Sequence, residues 1–346
     1  MCNRLPWLLT ALLTLLPTSA LAAIEVVVTC SSYAPIAEYI GGDHIHVTNL
    51  VEGYQDPHIV RPKPSLAVTL AEADMFAATG LDLEMWAPAL IDQANNPKLR
   101  SGESGYVSVS TGIHIADAPA TVNRAEGDVH VFGNPHIHTS PLNGKVIAEN
   151  LAVGLERIDP DHAAEYAANL ARFLHETDVR LFGEELVGIL GSKTLTKLAE
   201  TGKLYAFLES QQYKGQPMTA YLGGWMKQAE PLRGKKIVSF HKNWDYFVDL
   251  FGIEVVAYME PKPGIPPSPG HISHIITKMQ DDDIKVMIAA SYFDTAKVKM
   301  VAEKAGAIPV ITGLAVGGQD GMDSFFDQFD IWIGSLLAAY QQAGQL

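Results

Sequence analysis

The chain has 346 residues, 47% of them apolar and 18% charged, with a formal charge of −14. That balance excludes a disordered chain, and the acidic excess argues against nucleic acid and anionic membrane surfaces as partners. It suits a soluble protein of two ordinary-sized domains with sizeable cores, and one that gathers cations.

The first 22 residues read as a secretory leader: MCNR is a short basic start, LPWLLTALLTLL an apolar run, and Ala20-Leu21-Ala22 a small-residue cleavage pattern before Ala23. The apolar run is shorter than the roughly 20 residues a membrane span needs. A cleaved, exported, periplasmic protein is expected, with 24 basic residues left against 39 acidic ones once Arg4 is removed. Cys2 leaves with the leader. Cys30 stands several residues beyond the cut, so it is not placed as a lipidated first residue, and no internal disulfide is expected.

IEVVVT (24–29) predicts a strand, and SSYAPIAEYIGG a helix, with Tyr33, Ile36, Tyr39 and Ile40 at helical spacing and Gly41-Gly42 as its stop. HIHVTNLV (44–51) predicts a second strand, followed by a loop carrying Pro57 and His58. SLAVTLAEADMFAATG predicts a helix running into a short strand, LDLEMWAPALIDQA more helix, and YVSVS another strand. The segment GDVHVFGNPHIHTSP (127–141) holds His130, His136 and His138 between Gly and Pro. Read as an extended run, it puts His136 and His138 on one face.

From Asn143 the pattern turns helical, with Ile147, Leu151, Leu155 and Ile158 in one stripe. Asp159-Pro160 offers an N-cap for a second helix, whose stripe of Tyr166, Leu170, Phe173, Leu174 and Leu181 runs to about Leu190. Some 28 residues at 1.5 Å each give roughly 42 Å, the length of a strut between two lobes. The alternation then resumes through KLYAFLE, KKIVSF ending at His241, WDYFVDLFG, EVVAYM, the Pro-rich loop EPKPGIPPSPG (260–270), IITKMQDDD, KVMIAAS, AKVKMVAEKAG and IPVIT. A Gly-rich loop AVGGQDG and a terminal helix from about Asp323 close the chain. Alternating strands and helices predict parallel sheets covered by helices on both faces, with ligand loops at the strand C-terminal ends.

His58, His136 and His241 each stand at such a loop position. Imidazole is the commonest ligand for zinc-like metals, so three histidines placed alike point to a metal site. His44, His46, His114, His162, His175, His271 and His274 form no further convergent set, and Trp244 and Tyr246 read as packing behind His241. A catalytic zinc site needs an open fourth position, and an exported zinc hydrolase is the rival reading. The chain has no H-E-x-x-H motif, and no P-loop for ATP. A metal-independent surface adhesin would leave the histidines unexplained.

Several motifs in order carry a resemblance. QDPH is followed by Pro62, Pro64 and Ser65; then come GNPH, the strand-ending FH before Trp244, Tyr246 and Phe247, EPKPGIPPSPGH, and a late DSFF. Together they resemble the solute-binding proteins of zinc and manganese ABC importers, from Ile24 to the C-terminus. DPDHAAEYAANL is similar to that family's connecting helix. The resemblance implies an α/β fold of two lobes, each with a mostly parallel sheet flanked by helices: an N-terminal lobe (23–158), a long connecting helix (159–190) and a C-terminal lobe (191–346).

The metal would sit in the cleft, held by His58 and His136 from the first lobe and by His241 and Asp323 from the second. Asp320 and Glu260 are the alternatives for the fourth place. Where His138 stands the family often has an aromatic residue, so His138 is a substitute for His136 or a supporting residue, and His130 an accessory ligand. Histidine at 241, where manganese members carry a carboxylate, favours zinc as the transported ion. The implied partners are a permease with its ATPase subunit, and a periplasmic metallochaperone is a further one. The protein is expected to be monomeric and not an enzyme.

Overall fold

The computed structural model describes residues 23–117, 130–260 and 265–346. The predicted leader and residues 261–264 of the Pro-rich loop lie outside the described residues.

Strands β1 (Ile24–Val28), β2 (Ile45–Asn49), β3 (Met75–Ala78) and β4 (Tyr106–Ser108) form one parallel sheet in the order β2-β1-β3-β4. Val26, Val27 and Val28 of the central β1 are buried, as a parallel strand covered on both faces requires. The edge strand β2 is only partly covered and carries the exposed His46. Helices α1 (Ala34–Gly41), α2 (Pro64–Glu72) and α3 (Ala87–Ala94) make the connections.

Helix α4 (Pro141–Ile158) begins where the Ser140 hydroxyl accepts the Asn143 N–H and Pro141 takes the first helical position. Its buried stripe is Ile147, Leu151 and Leu155. Helix α5 (Ala163–Phe182) connects the two sheets, packing on α1 and α4 along one side and on α9 (Gly224–Gln228) along the other. The Phe173 ring lies 5.3 Å from Tyr39 of α1 and 5.3 Å from Phe326, so one aromatic seam joins elements of both halves.

The helix expected over 159–190 is divided. It opens as a 3-10 turn at Pro160–His162, runs as α5 for 20 residues, about 30 Å, and breaks at Gly183 before α6 (Glu184–Leu190). Gly183 has φ +85°, and a Cβ there would lie 2.7 Å from the Gly223 backbone. The apolar stripe continues through this glycine, but backbone contact replaces a side chain.

Helices α7 (Ser192–Glu200) and α8 (Leu204–Ser210) and a small ribbon of β5 (Gln212–Tyr213) with β6 (Gln216–Pro217) precede α9. The second parallel sheet is β7 (Lys236–Ser239), β8 (Glu254–Tyr258), β9 (Val286–Ala290) and β10 (Ile308–Thr312), in the order β10-β9-β7-β8. Helices α10 (Asp245–Phe251), α11 (Pro269–Asp281) and α12 (Thr295–Ala305) connect these strands, and α13 (Asp327–Gln342) closes the chain. Both sheets therefore follow one plan: the second strand pairs on one side of the first, the third and fourth on the other. Each chain path reverses between the first and third strands, where doubly wound sheets open a crevice for ligands.

Candidate metal centre

His58 lies in the loop after β2, and His241 follows β7 at the reversal point of the second sheet. His136 comes after β4, beyond residues 118–129. A shared local device positions two of these rings. In Asp56-Pro57-His58 the Asp56 Oδ1 accepts both the His58 backbone N–H, at 3.0 Å, and its ring Nδ1–H, at 2.7 Å. In Asn134-Pro135-His136 the Asn134 Oδ1 does the same, at 3.0 and 2.8 Å. The proline between has no N–H to compete and fixes its own φ. Each ring is thereby held with its proton on Nδ1 and its Nε2 lone pair facing away.

His241 reaches the same state through the Glu260 carboxylate, which accepts from its Nδ1. Glu260 is itself anchored, its backbone N–H donating to the Phe240 carbonyl at 2.7 Å.

These rings meet one another and a fourth, His130. The ring centroids of His58, His130, His136 and His241 lie 5.1 to 6.0 Å apart in all six pairings. One nitrogen from each ring falls within 4.8 Å of the others. All four Nε2 atoms are buried without a hydrogen-bond partner. Buried polar atoms are rarely left so, and four that converge fit a cation that shares them. Tetrahedral zinc, with bonds of about 2.0–2.1 Å, would need its ligand nitrogens about 3.4 Å apart, a small contraction from this arrangement.

The electrostatics suit a cation. Burial, then the neighbouring His58 and His241, push the His136 pKa well below its ordinary range, and the same causes bring His130 down to about 3. Both rings are neutral, the form that ligates. Burial works against ionising Asp56, but the hydrogen bond from the His58 ring holds its carboxyl below the usual value.

The other candidates lie elsewhere. His138 is 1% exposed, yet stands outside the group of four. Residues Ile137–Thr139 form a 3-10 turn, so the extended alternation expected to align His136 with His138 does not occur. The His138 ring sits edge-on to Tyr33 beside a small void lined by Cys30 and Leu314, and burial pushes its pKa to about 4, partly offset by the Leu314 carbonyl. Asp323 and Asp320 are exposed and outside the group. The Gly-rich loop before α13 is folded on its own hydrogen bonds, with Gln319 Oε1 accepting from Gly313 N–H and the Thr312 hydroxyl. It also abuts Gly53 so closely that a Cβ there would meet the Val316 carbonyl at 2.1 Å.

The terminal helix begins at Asp327, four residues later than expected, through a reciprocal cap. Asp327 Oδ2 accepts from the Ser324 N–H and the Ser324 hydroxyl accepts from the Asp327 N–H. Asp323 only donates its backbone N–H to this cap.

Glu260 stands behind His241, not among the grouped nitrogens. Of the histidines set aside, His44, just before β2, stacks on His162 at 3.8 Å, and the two pair with Glu165 and Asp159. Trp244 packs on Trp332 as expected, whereas the Tyr246 hydroxyl makes polar contacts instead. Sequence reasoning left Asp56 and Asn134 out, although the repeated Asx-Pro-His pattern was a signal for both.

Comparison with known proteins agrees with this architecture. Residues 26–179 and 210–339 match the family model of the zinc-uptake complex component A, periplasmic. The manganese ABC transporter substrate-binding lipoprotein ScaA of Streptococcus gordonii is 28% identical over 162 residues, 46% of this chain and 49% of that protein. This chain thus aligns with about half the length of such relatives. The alignment with PsaA of Streptococcus pneumoniae is longer, 23% identical over 88% of this chain and 84% of the relative.

Among solved structures, a ZnuA deletion mutant with zinc bound shares the fold with a TM-score of 0.67 at 21% identity, covering 92% of this chain and 98% of that one. A manganese-bound mutant of the periplasmic metal binding protein from Candidatus Liberibacter asiaticus gives 0.63 at 20% identity, covering 91% and 98%. With the family model matched over most of its length, the chain belongs to the zinc-uptake component A family of metal-binding substrate-binding proteins of ABC importers.

Proposed function

We propose that this protein is exported to the periplasm, captures zinc there between its two halves, and delivers it to a membrane permease driven by a separate ATPase subunit. The observation that supports zinc is the convergence of four unpartnered imidazole nitrogens from His58, His130, His136 and His241. These four are the proposed ligands, with His130 in the place first given to Asp323. An all-nitrogen set suits zinc, while manganese prefers oxygen donors.

Manganese is the second reading, favoured by the names of relatives such as ScaA and PsaA. An enzyme is a poor fit, since four protein ligands fill a tetrahedral zinc and leave no position for a reactive water. A cage of this kind holds an ion for release, which here falls to docking on the permease, with loading from a metallochaperone as the step before it.

The test is competition of metal-free residues 23–346 against a chelator of known affinity. One equivalent of tight zinc with far weaker manganese is expected. Equal or tighter manganese would overturn the zinc reading.

A further inference from the structure

Asn134 is 1% exposed and every polar atom it has is engaged. Its backbone N–H donates to the Ala116 carbonyl at 2.8 Å, and its backbone carbonyl accepts the Tyr246 hydroxyl at 2.6 Å. Its Oδ1 accepts twice from His136. Its Nδ2 donates twice, to the Lys242 carbonyl at 2.8 Å and to Asp245 Oδ2 at 3.1 Å. Two acceptances and two donations fill the capacity of a carboxamide. They also fix which end is oxygen, because the reversed amide would set N–H against N–H at His136 and oxygen against oxygen at Lys242.

One planar group thus holds a ring of the candidate site in the first half and grips the turn that follows His241 in the second. Tyr246 bolts the same joint, donating to the Asn134 carbonyl while accepting the Ala116 N–H at 3.2 Å. Asp245 is steadied from behind by the Tyr258 hydroxyl at 2.8 Å.

We propose that Asn134, with Asp245 and Tyr246, is a latch that couples the orientation of His136 to closure of the two halves, so that the cleft opens only when this joint breaks. The proposal rests on the metal-capture reading. Asn134 is a positioning residue: it touches no metal, and acts through His136 on one side and through the segment after His241 on the other. A separation of the halves that moves His136 away from His241 must break the Nδ2 bonds and the Tyr246 bond together. Metal release is therefore slowed by those bonds, and linkage makes the dependence reciprocal.

The experiment uses cobalt(II) as a visible probe of four-coordinate nitrogen ligation and follows its transfer to excess chelator by stopped flow. Asn134→Asp keeps an acceptor for His136 but sets a carboxylate against Lys242 O and Asp245. Tyr246→Phe removes the bolt without touching any ligand.

Both variants should keep the cobalt spectrum and release metal faster, Asn134→Asp by about tenfold or more and Tyr246→Phe by about three- to tenfold, from one or two lost bonds. Tyr340→Phe removes a comparable hydroxyl bond, to the Lys236 carbonyl at the opposite end of β7, and should release at the wild-type rate. A role confined to stability would speed all three or none.

Unchanged release in Tyr246→Phe and Asn134→Asp overturns the latch. Should Asn134→Asp lose the cobalt spectrum, Tyr246→Phe decides alone: faster release supports the latch and a wild-type rate overturns it. A wild-type protein that binds no cobalt or zinc would overturn the metal-capture reading itself, a result distinct from bound metal with unaltered release.

Discussion

Replacing His130 and Asp323 one at a time by alanine separates the two candidate fourth ligands. His130 Nε2 is buried and unpartnered, and one nitrogen of its ring lies within 4.8 Å of one from each of the other three, whereas Asp323 is exposed and engaged through its backbone with the cap of α13. Loss of a residue that only supports a ligand costs about 10- to 100-fold in metal affinity, and loss of a direct ligand should cost more. His130→Ala should therefore weaken zinc by more than about 100-fold, near 2.7 kcal/mol. Asp323→Ala, at an exposed site, should change it by less than about threefold and stability by under about 0.5 kcal/mol. Chelator competition at pH 7.5 measures both, and circular dichroism checks that each variant folds. A large loss in Asp323→Ala with none in His130→Ala would refute the reasoning and return the fourth place to the carboxylate.

Three further outcomes follow from the same geometry. Asp56→Ala and Glu260→Gln, which disturb the groups holding the Nδ1 protons of His58 and His241, should each weaken zinc by about 10- to 100-fold while leaving four-coordinate cobalt spectra, and spectra of higher coordination would contradict this. Burial raises the Asp245 pKa from 3.8 to about 6, so this carboxyl's contribution to stability is full below pH 3.8 and lost as pH rises through 6. Asp245→Asn, which does not titrate, should accordingly gain on wild type by up to about 3 kcal/mol between pH 4 and 7.5 in urea unfolding, and a constant difference would refute it. Gly183→Ala should cost about 2 kcal/mol or more, seen as a lower thermal midpoint, because it combines positive φ with a backbone contact at 2.7 Å.

Much of the fold is legible because parallel sheets write it plainly. Val26, Val27 and Val28 of β1 and the whole of β9 are buried and read as apolar runs, and loop punctuation separates them from amphipathic helices. The end of α5 is not legible, since the stripe runs on through Gly183 and only the approach of Gly223 explains the break. Three site histidines could be placed from their loop positions. His130 reads only as an accessory ligand, because nothing beside it in the sequence distinguishes it from an exposed loop histidine, although it lies six residues before His136. His138 misled through an assumed period of two that a 3-10 turn abolishes. Asp323 came from the resemblance and not from a pattern of ligand-bearing loops, and the structure puts it at an exposed position in the turn before α13, outside the group of four nitrogens.

The charge around the four rings gives a reason for their particular supports. Asp56 and Glu260 each hold an Nδ1 proton, and Asn134 holds a third without charge. Two carboxylates thus stand one imidazole away from the place a metal would take, an arrangement that favours a cation in a buried site. The carboxylates also make their two imidazoles more electron-rich donors, which the amide at His136 does not. His136 would then be the weakest-held of the three supported ligands. It is also the ring whose support, Asn134, bridges to the second half, so the ligand easiest to displace stands where motion between the halves is felt first.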